Sequence, residues 1–193
     1  MGCNGLDADS FGPTQALTAT GDIFQAMAAS SVSSGYARQA ALTVAAGIRN
    51  ARPSESPIAP SLASPSIAPE ATTSTTIPTF TYKCPAGGTI VVTGSYTGAA
   101  SSATINVLET INGCTDSGIT FNGNPNVDVT GSITEAGNIY TEAVTITGSF
   151  TTSSNENCSI SVAINATDNA TTSAVNGTIS GTVCGITISS TLQ

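Results

Sequence analysis

From residue 79 onward, apolar and polar positions alternate with a period of two. Val127, Val129 and Ile133 lie opposite Asp128, Thr130 and Ser132, and Ile160, Val162 and Ile164 lie opposite Ser161 and Ala163. Alternation of this kind predicts strands that are dry on one face and wet on the other. About nine strands are expected, at 79–83, 88–97, 103–111, 118–122, 126–134, 138–152, 157–167, 174–183 and 185–191. The clusters PAGG, TGAASS, NGNPN, EAGN, SSNEN and TDNATTS supply turns between them. Every connection is short, so sequential strands should be antiparallel neighbours. The expected fold class is mainly β, an antiparallel meander forming a sandwich or barrel that buries the dry face.

Several strands share a sequence echo: IVVTGSY at 90–96, VDVTGSI at 127–133, AVTITGSF at 143–150 and a looser VNGTISGTV at 175–183. In each, glycine stands where the next inward apolar residue should fall. Gly94, Gly131, Gly148 and Gly181 are therefore expected on the dry face. They would let the sheet coil sharply, or leave room for a large neighbour such as Tyr96, Phe121 or Phe150.

The pattern differs ahead of the strands. Residues 1–13 are polar and read as a tether. Residues 14–50 are rich in Ala, Gln, Leu and Met, and two short helices are expected there, near 22–30 and 36–49. Their apolar faces are small, so in isolation they would be marginal. Residues 51–78 repeat proline every three to five positions over most of their length, which predicts an extended, semi-rigid linker. The β domain then occupies 79–193.

Charge narrows the function classes. Only 8% of the 193 residues are charged, the net charge is −8, and Lys plus Arg number 4. Nucleic acid and anionic lipid surfaces both demand a cationic footprint that this chain lacks. No apolar run reaches the roughly 18 residues of a membrane-spanning helix. Aromatic residues are too few for the girdles of a membrane barrel. Uncharged Ser, Thr, Asn and Gly dominate instead, a composition expected of an exported, extracytoplasmic protein.

The five cysteines sharpen that expectation. Cys84, Cys114, Cys158 and Cys184 lie in the β region, and Cys3 stands apart. Four plus one suggests two disulfides and one cysteine with a separate task. Cys84 and Cys114 bracket one predicted hairpin, and Cys158 and Cys184 bracket another at the opposite end of the meander. The pairing Cys84–Cys114 and Cys158–Cys184 follows. Strict opposition within each pair would set Val92 against Asn106 and Ile160 against Thr182, one residue out of face. An irregularity near Gly87-Gly88 and near Gly185 would repair this. Met1-Gly2-Cys3 resembles the tail of a bacterial lipobox, which makes Cys3 the expected lipidation site, with the signal region outside this sequence. The whole plan of lipidated cysteine, proline-rich stalk and stapled β head resembles that of bacterial surface lipoproteins.

Candidate chemistry is sparse. Without histidine, Ser-His and Cys-His nucleophile arrangements are unavailable. Glu109 and Glu142 fall on the apolar face of their strands, where a carboxylate is either functional or a strand-end group reaching water. Their position near predicted strand ends favours the second reading. Asp116, Asp128, Glu135, Glu156 and Asp168 read as turn or solvent-face groups. DADSFG near the N-terminus imitates the start of a calcium loop, but Phe11 and Thr18 occupy ligand positions. No catalytic residue, metal or cofactor is expected. The expected function is a non-enzymatic cell-envelope protein, structural or adhesive, held to the outer membrane or cell surface through its lipid. The alternative is a self-associating subunit of an extracellular filament, and the third is a carbohydrate-binding module, weakened by the absence of Trp.

Overall fold

A computed structural model describes residues 11–30, 48, 73–99, 101–153, 157–169, 171–172 and 174–193. The expected lipidation site Cys3, the second predicted helix apart from Ile48, and the linker up to residue 72 lie outside the described residues.

One helix, α1 (Pro13–Ser30), precedes nine strands: β1 (Thr73–Lys83), β2 (Thr89–Ala99), β3 (Ser102–Asn112), β4 (Cys114–Asp116), β5 (Ile119–Ala136), β6 (Ile139–Thr152), β7 (Asn157–Asn169), β8 (Ala174–Val183) and β9 (Ile186–Leu192). They form one antiparallel sheet in the order β1-β2-β3-β5-β6-β7-β8-β9, with β4 paired to β5 beside this path. The mainly β meander is therefore present. The expected sandwich or barrel is not: the sheet stays open, with β1 and β9 as its edges. It closes on the helix instead. α1 packs mainly on β1, β2 and β9, so both edge strands meet the same helix and the sheet must curl around it.

Three boundaries differ from those expected from the sequence. The helix starts at Pro13, well before 22. Pro13 has the φ suited to a first helical position, and the Gln15 side chain accepts a hydrogen bond of 3.1 Å from the Gly12 N–H, as the third residue of a capping box does. β1 starts at Thr73, inside the segment expected to be linker, and Pro78 falls where its register shifts between Ile77 and Phe80. An edge strand tolerates proline at such an irregularity. The predicted strands 118–122 and 126–134 are one long strand, β5, and the NGNPN cluster is a register shift between Gly123 and Val127 rather than a turn.

The core is built in rows across the sheet. One row runs Ile77, Gly94, Val107, Val129, Ile146, Val162, Gly181, Ile188, all facing inward. Leu17, Ile23, Phe24 and Met27 of α1 join the same buried cluster. The outward row Ser95, Asn106, Thr130, Thr145, Ala163, Ser180, Ser189 has no charge.

Gly148 shows what the repeated glycine does. Its φ is +143°, a region open essentially to glycine alone. A Cβ there would lie 2.6 Å from the Asn126 carbonyl oxygen and 3.0 Å from the Val127 Cα. The space left by the missing side chain is taken by the main chain of the next strand, and it faces the irregular stretch of β5. Gly94, Gly131 and Gly181 likewise meet neighbouring backbone. At these positions the close approach is by neighbouring main chain rather than by a large side chain.

Disulfides join Cys84 to Cys114 and Cys158 to Cys184, with Cα–Cα distances of 5.4 and 4.3 Å. Both close the same end of the strands, one toward each edge of the sheet. Val92 faces Glu109 and Ile160 faces Val183, so the facing is consistent throughout both ladders. The offset is absorbed outside them. Cys84 lies in the β1–β2 turn, with its N–H bonded to the Gly88 carbonyl at 3.2 Å. Cys184 (φ +52°) and Gly185 (φ +75°) form a two-residue turn of the I′ kind between β8 and β9.

Candidate functional site

Five carboxyl groups are buried: Asp22 on α1, Glu109 on β3, Asp116 on β4, Glu142 on β6 and Asp168 on β7. Carboxylates are rarely buried without a compensating cation. Among the described residues the single cation is Lys83, which is exposed. These buried acids are the most unusual chemistry of the fold.

Glu109 lies between Val92 and Val127. It is fully buried, and neither carboxyl oxygen has a hydrogen-bond partner. Burial holds its pKa well above the usual 4.5, opposed in part by the Met27 backbone. The last turn of α1 is fixed beside it. The Tyr96 hydroxyl donates to the Met27 carbonyl at 3.2 Å, and the Ser30 hydroxyl donates to the same oxygen at 2.7 Å. Helix C-terminal carbonyls lack intrahelical donors, and these two contacts supply them.

Glu142 lies between Ile133 and Ala166, and its carboxyl oxygens are also buried without partners. Asp168 is two positions along β7 from Ala166, diagonal to Glu142. Diagonal inward neighbours are about 7 Å apart, close enough for two like charges to oppose each other. Burial first, and the Asp168 charge second, push the Glu142 pKa from the usual 4.5 to about 8. Burial also raises Asp168, with the Asn169 backbone acting against it. Tyr140 extends this patch, placed between Glu135 and Asp168.

Glu109 and Glu142 do not form one site. Their partners on β5, Val127 and Ile133, are six positions apart. At about 3.3 Å per residue they are separated by roughly 20 Å along the strand. A pair of catalytic carboxylates works at about 5–9.5 Å. The strand-end reading of both residues is also corrected. Glu109 is 0% and Glu142 1% exposed, so neither reaches water. β3 continues one residue past each predicted end, and α1 covers the inner face beside Glu109.

Asp168, expected at a solvent face, is instead inward and buried. The signal is there in the chain, because Asp168 shares the parity of Cys158, Ile160, Val162, Ile164 and Ala166. β7 simply continues to Asn169. Asp116 is likewise buried, in β4. Asp22 carries no strand-parity signal, since it is helical and buried only by tertiary packing. Asp128 is exposed and Glu135 is partly buried. Gly94, Gly131, Gly148 and Gly181 sit on inner-face rows, where neighbouring main chain approaches them closely. No group of three His, Cys, Asp or Glu residues is placed to hold a metal ion among the described residues. No described helix is long and apolar enough to cross a membrane.

The buried acids can store protons. Burial disfavours the charged form of Glu109, Glu142 and Asp168, so these three link folding to pH. No protein-family model matches the chain, and no curated protein or solved structure is significantly similar to it.

Proposed function

We propose that this chain is a non-enzymatic, extracytoplasmic envelope protein whose β domain has a structural or adhesive role and is anchored through lipid on Cys3. The observation that carries the reading is the cysteine partition. All four cysteines of the β domain are consumed in two disulfides that clamp one end of the sheet. Disulfides form and persist in oxidising compartments. Cys3 is the cysteine left for another task, and a proline-rich segment separates it from the strands. The hydroxyl-rich, sparsely charged outer face is then the surface offered to the exterior. Metabolic labelling with a fatty-acid analogue tests the anchor. Label is expected in the wild-type chain and lost in Cys3→Ser; an unlabelled wild-type chain would remove the lipoprotein reading.

A second reading, self-association, draws on the two sheet edges. β1 is blunted by Pro78 and by its register shift, devices that discourage strand addition. β9 has neither, and its seven residues carry no charge. The turn closing at Val183 and Ile186 directs the Ile186, Ile188 and Ser190 main-chain groups to β8 and those of Thr187, Ser189 and Thr191 away from it. β9 can thus template a strand from another copy. Ser189→Pro removes one outward N–H without touching the β8 ladder. In light scattering, the reading expects concentration-dependent association of the wild type that this variant lacks. A wild type that stays monomeric at every concentration contradicts it.

A further inference from the structure

Glu109 stands at the contact between sheet and helix, and its surroundings oppose charge in two separate ways. It is fully buried with both oxygens unpartnered. It lies beside Met27 in the last turn of α1, whose backbone offsets only part of the cost of burial. No cation approaches it from any described element packed on α1. From the helix comes only Asp22, another acid. β2 brings Tyr96 and no charged residue. β5 brings Asp128, on the outward face, and Glu135, at the far end of the strand beside Tyr140. β1 brings Tyr82 and the exposed Lys83. β9 has no ionisable side chain, and β3 has none besides Glu109 itself.

We propose that docking of α1 is proton-dependent: the helix seats on the sheet with Glu109 neutral, and it leaves as that carboxyl ionises. With α1 in place, Glu109 ionises only as a buried charge that water does not reach and that no described cation approaches. With α1 away, water reaches the carboxyl and it ionises normally. The carboxyl therefore binds its proton more tightly in the docked state, and rising pH favours release. The equilibrium shifts by up to tenfold per pH unit, from the ordinary carboxyl range up to the docked value. The sheet has its own supports: a continuous ladder of antiparallel pairs and both disulfides. Release would bare its apolar inner face without requiring the strands to part. The helix would then act as a plug whose seating reports the proton concentration outside the cell, a role that rests on the extracytoplasmic reading, whereas the docking equilibrium does not.

Hydrogen–deuterium exchange of the full chain, corrected for intrinsic rates at each pH from 5 to 9, tests this. Peptides from 13–30 should lose protection progressively as pH rises, by up to tenfold per unit, and should do so through openings that leave peptides from β6 and β7 better protected than α1 at every pH. Glu109→Gln should flatten the response of α1. Glu142→Gln, on a strand outside those that α1 mainly packs against, should leave that response in place. Protection of α1 that does not change with pH in the wild type overturns the proposal, as does an undiminished pH response in Glu109→Gln. Glu109→Leu provides a second neutral side chain. If α1 is unprotected at pH 5 in both neutral variants, the proposal also fails, because neutrality at this position is then insufficient for docking.

Discussion

The Tyr96 hydroxyl, on β2, donates a hydrogen bond of 3.2 Å to the Met27 carbonyl in the last turn of α1, joining residues 69 positions apart. It also lies 3.4 Å from the Met27 sulfur. This contact ties the helix to the part of the sheet that carries Glu109. Tyr96→Phe keeps the ring and removes the donor. A net loss of about 1 kcal/mol is expected, read from urea unfolding, with α1 amides exchanging faster than those of the strands.

The inward glycines predict a contrast between two alanine substitutions. Gly148 and Gly87 both have positive φ, +143° and +128°. A Cβ at Gly87 meets nothing within 4 Å, whereas one at Gly148 meets the backbone of β5. Gly87→Ala should suffer conformational strain alone, about 1 kcal/mol. Gly148→Ala adds a clash with main chain that cannot rotate aside, and the total should reach about 2–4 kcal/mol. Thermal unfolding of both variants checks the difference.

Glu142 predicts a pH dependence of global stability. Its folded pKa is raised, so its neutral form is the one the fold accommodates. Its contribution is fully present below the ordinary carboxyl value near 4.5 and is lost as pH rises toward about 8. Across that window stability should fall by about 1.4 kcal/mol per pH unit from this group. Denaturant unfolding at intervals from pH 4.5 to 8.5 should show the decline, and Glu142→Gln should reduce its slope by one proton's worth.

The disulfides predict unequal dependence on chain context but similar magnitude. The sequence separations are 30 and 26. In the chain-entropy account each such loop is worth about 3.5 kcal/mol at 25 °C. Cys158→Ala with Cys184→Ala should lower stability by roughly that amount and loosen β7, β8 and β9 before the rest, as read by exchange of peptides from 157–192.

Much of this architecture is legible in the amino-acid sequence. Period-two alternation places the strands and their inward faces, because a pleated sheet with one dry face imposes that period on its residues. The parity of Glu109 and Glu142 is legible for the same reason. Their burial is not, since it depends on α1, and a helix made of Ala, Thr and Gly gives only a weak amphipathic signal. Its start is readable from Gly12-Pro13 with Gln15, a cap that local propensity obscures. The bend of β5 looks like a turn because Gly and Pro punctuate both turns and irregular strands. The open sheet is not legible either. Alternation specifies that an inner face is covered, and says nothing of whether a second sheet or a helix covers it.

The central functional claim is that this is an oxidised, extracytoplasmic head with Cys3 set apart from it. Mass spectrometry of the chain isolated from its native cells, with thiols trapped at lysis, tests this most directly. The account predicts Cys84–Cys114 and Cys158–Cys184 linked, and Cys3 carrying an acyl modification. Four free thiols in the β domain together with an unmodified Cys3 would contradict it.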